Sequence, residues 1–344
     1  MWRHFHLRFP LFLCICTLAG CGYIEDKIAI ARLKPTKDPV LEEIYAFRVK
    51  IRQLYNSQRF GELETTAAEL RRTKPLFDNG SWKIAEFYDS FSCRSSEPES
   101  MWQLHDRIHQ DWIAQFPRSI TARIAYADFF TDYAWHARGT DFADKVTEEG
   151  WRLFAERIGL AQKTLAESPG LPQKDPVWWR VALQVALGQH WPKNDYDRLV
   201  EKAKASEPKF WRYDIARAKS LLPRWYGDAG DWEDYAEQAA ARPDGLGDEI
   251  YARIVMSLRA YYDNIFRETR ASWPKVRQGL FQMRQRYPQS FDVINQTAIL
   301  STLGEDRALA KEVFDQLGDT YLPDVWGKPE RFVRSRRWAK TGAQ

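Results

Sequence analysis

From Val40 to Leu317 apolar residues recur at three- and four-residue steps, and no stretch sustains two-residue alternation with hairpin turns. That spacing most constrains the fold. It predicts an all-α chain whose helices each bury one stripe, with no sheet. Ser119 is placed to cap a helix. Behind it Ile120, Ile124, Ala127, Phe130, Ala134 and Ala137 form one stripe, and Trp151, Phe154, Ile158, Ala161 and Leu165 form the next. Pro117 ends the helix before Ser119, and ESPGLPQKDP (167–176) is the strongest loop signal mid-chain. Fifteen Trp, fifteen Tyr and nineteen Phe need somewhere to pack, and helix–helix seams are the obvious place.

The first twenty residues stand outside that fold. Arg3 and Arg8 precede a short apolar run from Leu11 to Leu18, and Leu18-Ala19-Gly20-Cys21 follows. The tetrapeptide resembles a bacterial lipoprotein cleavage site, and the run is too short to span a bilayer alone. The expected product begins at Cys21, whose thiol carries the lipid and tethers the body to a membrane. Gly22 stands where Asp would retain an enterobacterial lipoprotein at the inner membrane. The periplasmic face of the outer membrane is therefore the expected address. The expected parts are a signal peptide (1–20), a lipid-anchored tether (21–38), a helical-repeat domain (39–320) and a fraying basic tail (321–344).

Cys14 and Cys16 fall in the signal and Cys21 is the lipid site, which leaves Cys93 as the lone thiol. No partner exists for an intrachain disulfide, so a buried structural role is expected for it. The formal net charge of +4 includes the two signal arginines, and the nearly balanced remainder argues against a nucleic-acid partner.

Several segments share punctuation. In YPQSFDVINQTAILSTLGEDRALAKEVFDQL, Pro288 and Ser290 open a helix carrying Asn295 and the small Ala298, Gly304 marks the turn, and Ala308, Ala310 and the aromatic Phe314 follow. FPRSITARIAYADFF repeats the opening, and GDWEDYAEQAA repeats the turn and second helix. The pattern resembles degenerate tetratricopeptide repeats, which implies antiparallel helix pairs stacked as an α-solenoid. FPRSITARIAYADFFTDYAWHARG, DPVWWRVALQVALGQHW and EPKFWRYDIARAKSLLPRWYGDAGDWEDYA further resemble the uncharacterised bacterial domain of unknown function numbered 4034. The resemblance runs from about Val40 to Leu317 and is strongest from Pro117 to Ala236. It implies a helical, repeat-like fold and no reaction.

Candidate chemistry is sparse. His105 and His109 stand four apart on one helix face, as zinc ligands do in a metalloprotease helix. Asp106 replaces the usual glutamate and no third ligand is evident, so a solvated polar face explains them better. Trp135 and Arg138, with Arg224, Trp225 and Tyr226, combine aromatics and guanidiniums at helix ends. They are candidates for a partner-binding surface, against simple packing of helix ends. Asp231, Glu233, Asp234 and Glu237 sit at a helix start, where the macrodipole favours anions. No catalytic set, resident metal or cofactor is implied. The expected function is a non-catalytic scaffold binding a protein or peptide at the cell envelope. The alternative is an envelope hydrolase or metal-dependent enzyme using the His105/His109 helix.

Overall fold

The computed structural model describes residues 25–139, 143–167 and 175–342. Cys21 and most of the 167–176 loop lie outside them. The described residues form two compact units, one within 39–293 and one of 25–38 with 294–342. This division differs from the expected tether, 39–320 domain and tail: the N-terminal segment and the last fifty residues belong to one unit. Residues 25–32 form α1, and Lys34–Pro35 form the strand β1.

The larger unit is all-α. It comprises α2 (Pro39–Asn56), α3 (Phe60–Thr73), α4 (Lys83–Asp89), α5 (Glu99–Gln115), α6 (Ile120–Arg138) and α7 (Glu148–Ala166). After these come α8 (Pro176–Gly188), α9 (Lys193–Ser206), α10 (Arg212–Ser220), α11 (Asp231–Ala240), α12 (Asp248–Leu258), the short α13 (Ile265–Glu268) and α14 (Trp273–Arg286). Local chemistry fixes several starts. The Ala122 amide donates to Ser119 Oγ at 2.9 Å and the Gly150 amide to Thr147 Oγ1 at 3.0 Å. The Val177 amide donates to Asp175 Oδ1 at 2.8 Å, with Pro176 in the first turn of α8.

α2, α3 and α4 pack in sequence order, as do the helices from α5 to α12, and α6, α8, α10, α12 and α14 also pack each on the next of that set. One helix of every pair thus meets its counterpart in the next pair, as in helical repeats. A strict nearest-neighbour stack is broken at α4, which reaches α8. Gly279 makes the α12/α14 contact possible: a Cβ there would lie 2.1 Å from Asp248 O and 2.7 Å from Ala252 Cβ. Gly230, at φ +98°, opens α11 after the turn that follows α10.

The α7 stripe is buried at Phe154, Ile158, Ala161 and Leu165, as its spacing predicts. Helix α6 corrects the single-stripe reading. Thr121, Ala122, Ala125, Asp128, Phe129 and Thr131 are buried together with the expected stripe from Ile120 to Ala134, because α5, α7 and α8 all pack on it, while Ala137 is only half-buried. The core beside it is aromatic. Phe60 and Trp112 stack with centroids 5.4 Å apart and planes within 3°, and the Trp112 indole N–H donates to Glu64 Oε1 at 2.9 Å.

The smaller unit corrects the frayed tail. It contains α16 (Arg307–Leu317), β2 (Thr320–Tyr321), α17 (Pro323–Trp326), α18 (Pro329–Thr341) and most of α15 (Phe291–Leu303). β2 pairs in parallel with β1, the one two-stranded ladder among the described residues. Phe332 and Val333 are buried, and the Phe332 ring meets Phe314 at 5.2 Å and Trp326 at 5.1 Å. Asn295 Oδ1 accepts from the Trp326 indole at 2.9 Å and from the Leu322 amide at 3.2 Å. The basic residues have structural partners: Arg336 donates to Gly318 O at 2.6 Å, and Arg337 pairs with Asp26 at 2.8 Å.

Candidate binding pocket

Helix α6 organises the larger unit's chemistry. Its middle carries Asp128 and Asp132, and its last turns carry Trp135, His136 and Arg138. Around Asp128 lies a charge network drawn from five helices. Arg180 of α8 donates to Asp128 Oδ2 at 2.5 Å and stands 3.8 Å from Asp89 of α4. Arg212 of α10 reaches Asp89 at 2.7 Å and Glu86 at 2.6 Å, and Arg48 of α2 donates to Glu86 at 2.7 Å. Burial raises Asp89, but the guanidiniums of Arg212, Arg180 and Arg48 outweigh it and leave the carboxyl below its usual range. Three guanidiniums therefore face three carboxylates, and Asp132 is a fourth acid without a matching cation. Burial and the nearby Asp128 carboxylate push Asp132 up to about 7.

One turn beyond Asp132 the helix enters a pocket of ≈ 970 Å³. Its walls are indoles. Trp135 meets Trp225 edge to face at 5.7 Å and Phe154 at 4.9 Å, and Trp151 meets Phe154 at 5.9 Å. His136 stacks on Trp102 at 4.6 Å, and His190 meets Tyr226 at 5.2 Å. The Arg138 guanidinium carbon lies 5.7, 5.2 and 5.9 Å from the ring centres of Trp135, Trp151 and Trp225. That of Arg224 lies 6.0 Å from Trp225 and 5.2 Å from Tyr261. Each cation is held against aromatic faces.

No family model, curated protein or solved structure matches this chain. The site therefore rests on its own geometry.

All five residues singled out by sequence, Trp135, Arg138, Arg224, Trp225 and Tyr226, line this one pocket. They come from the end of α6 and from the turn between α10 and α11. At the start of α11, Trp232 is buried as a helix-packing residue, whereas Trp225 in the preceding turn faces the pocket. Sequence reasoning missed Asp132, Cys93, His136, His190, Trp102, Trp151 and Phe154 as neighbours in the pocket. Asp132, Trp135 and His136 fall on one helical face at three- and four-residue spacing, the single signal that could have grouped them.

His105 and His109 are not on a solvated face. They are 3% and 0% exposed. His109 sits among Tyr55, Tyr126 and Phe129 at 5.2–5.4 Å between ring centres, and neither of its nitrogens has a hydrogen-bond partner among the described residues. Burial holds both imidazoles neutral, with the Arg52 charge adding to the effect; His105 is pushed down to about 4. The nearest approach to a metal centre among the described residues is Cys93, Glu97 and His105, whose ligand atoms lie within 4.8 Å of one another. A guanidinium nitrogen of Arg52 stands 3.0 Å from His105 Nε2 and opposes a cation there. Burial, with Glu97 beside it, pushes the Cys93 thiol up to about 12, which removes its nucleophilic form. Glu233, Asp234 and Glu237 have partners: Glu233 accepts from the Arg270 amide at 3.1 Å, Asp234 pairs with Arg270 at 2.9 Å, and Glu237 pairs with Lys275.

Proposed function

We propose that this chain is a non-catalytic helical scaffold that receives a segment of a protein or peptide partner in the indole-walled pocket. The observation that carries the reading is the convergence of Trp135, Arg138, Arg224, Trp225 and Tyr226 on one concave site. Aromatic and arginine side chains gathered in a pocket are the usual anchors of recognition. Of the groups nearby, the Cys93 thiol stays protonated and the buried His105 and His109 imidazoles stay neutral. We further propose that lipid on Cys21 holds the scaffold at a bacterial membrane, with the outer membrane's periplasmic face as its address. No helix among the described residues is long and apolar enough to cross a membrane.

Crosslinked envelopes test the scaffold. Tagged mature protein should recover a recurring partner that Trp135→Ala with Trp225→Ala loses, the circular dichroism spectrum being unchanged. Equal recovery by both proteins would sink the reading. Cys21→Ser should abolish lipid labelling, and continued labelling would remove the anchor. A second reading, a metal-dependent enzyme, draws on the Cys93, Glu97 and His105 cluster beside the same pocket. It requires micromolar zinc binding that Cys93→Ser abolishes, measured by calorimetry.

A further inference from the structure

Two guanidiniums stand among the pocket's aromatic walls. Arg138, Arg224, His136 and His190 line it with a single acid, Asp132, and the hydroxyls of Ser95 and Tyr226. A cationic occupant would meet two guanidiniums already seated on the aromatic faces. What fits is an apolar body bearing one anionic head.

Arg224 is placed to receive that head. Its side chain is exposed, it rests on Trp225 and Tyr261, and it has no carboxylate partner among the described residues. The arginines of the neighbouring network differ, since each of them already faces an acid. We infer that the pocket takes the free C-terminal carboxylate of a peptide whose last side chain is apolar, with Arg224 binding the carboxylate and the Trp135, Trp151 and Trp225 indoles enclosing the side chain. This rests on the peptide-binding reading above.

An array of apolar-ended decapeptides, each displayed as free acid and as amide, tests it against the tagged mature protein. Free acids should bind, and amidation should weaken the best of them by about tenfold or more, the strength of a charge-assisted hydrogen bond. Arg224→Gln should lower the acids to the level of the amides and leave amide binding unchanged. Acids and amides binding equally would overturn the carboxylate inference while the peptide reading stands. Arg224→Gln weakening both forms alike would overturn it too. Binding of neither form would remove the peptide reading and this inference together. Decanoate quenching pocket tryptophan fluorescence, with no free-acid peptide doing so, would reassign the carboxylate to a lipid.

Discussion

Two regions share helix α6 and use the same residue type in opposite ways. Around Asp128 the arginines of α2, α8 and α10 meet carboxylates at hydrogen-bond distance, those of α8 and α10 largely shielded from solvent. At the other end of the helix, Arg138 and Arg224 lie on indole faces at the pocket, and Arg224 meets no carboxylate among the described residues. An arginine matched to acids locks helices together. One backed only by aromatic rings keeps its donors for something else.

The sharpest way to break this contrast is Arg180→Leu. That change strands Asp128 beside Asp89 in the interior and should cost about 3–5 kcal/mol in urea unfolding. Replacing Arg180 and Asp128 together by leucine should cost markedly less. A single-variant loss under 1 kcal/mol would mean that water screens the network as it screens the pocket.

Asp132, at the border of the two regions, should show the next largest effect. In the fold its carboxyl releases the proton only near pH 7, against an ordinary value of 3.8. The folded chain holds the extra proton across that window, so stability falls as pH rises through it. Asp132→Asn should raise unfolding free energy at pH 8 by something on the order of 2 kcal/mol and leave pH 3 nearly unchanged. A gain independent of pH would place Asp132 outside the buried electrostatics.

His109→Phe should stabilise at neutral pH by about 1 kcal/mol, because a ring without unmet nitrogens replaces one with two. The gain should widen as pH falls below 6.5, where the unfolded imidazole takes up a proton that the buried one refuses. Destabilisation with a flat pH profile would point to a partner for His109.

Trp225→Ala should change stability least, by under about 1 kcal/mol, while abolishing partner capture. A loss of stability comparable to Arg180→Leu would return Trp225 to the packing role that sequence had suggested.

Much of the fold was legible because its causes are local. Ser119 and Thr147 cap helices by bonding amides three residues away, and the α7 stripe follows from helical spacing alone. The tail misled for a physical reason: Phe332 and Val333 are sparse apolar anchors among many arginines, and their burial depends on Phe314 and Trp326. The site was legible as pieces. Trp-Arg-Gly punctuation marked its residues at two helix ends, and nothing in their spacing said that the ends adjoin.

Sequence alone therefore determined an all-α chain, most helix limits and the residue types at the pocket, since these depend on backbone periodicity and on contacts a few residues apart. Tertiary structure decided which arginines find acids, why Asp132 keeps its proton, and that His105 and His109 are core. Those outcomes depend on the dielectric and on partners far apart in the chain, 126 residues for Arg212 and Glu86 and 311 for Arg337 and Asp26, and no local pattern encodes them.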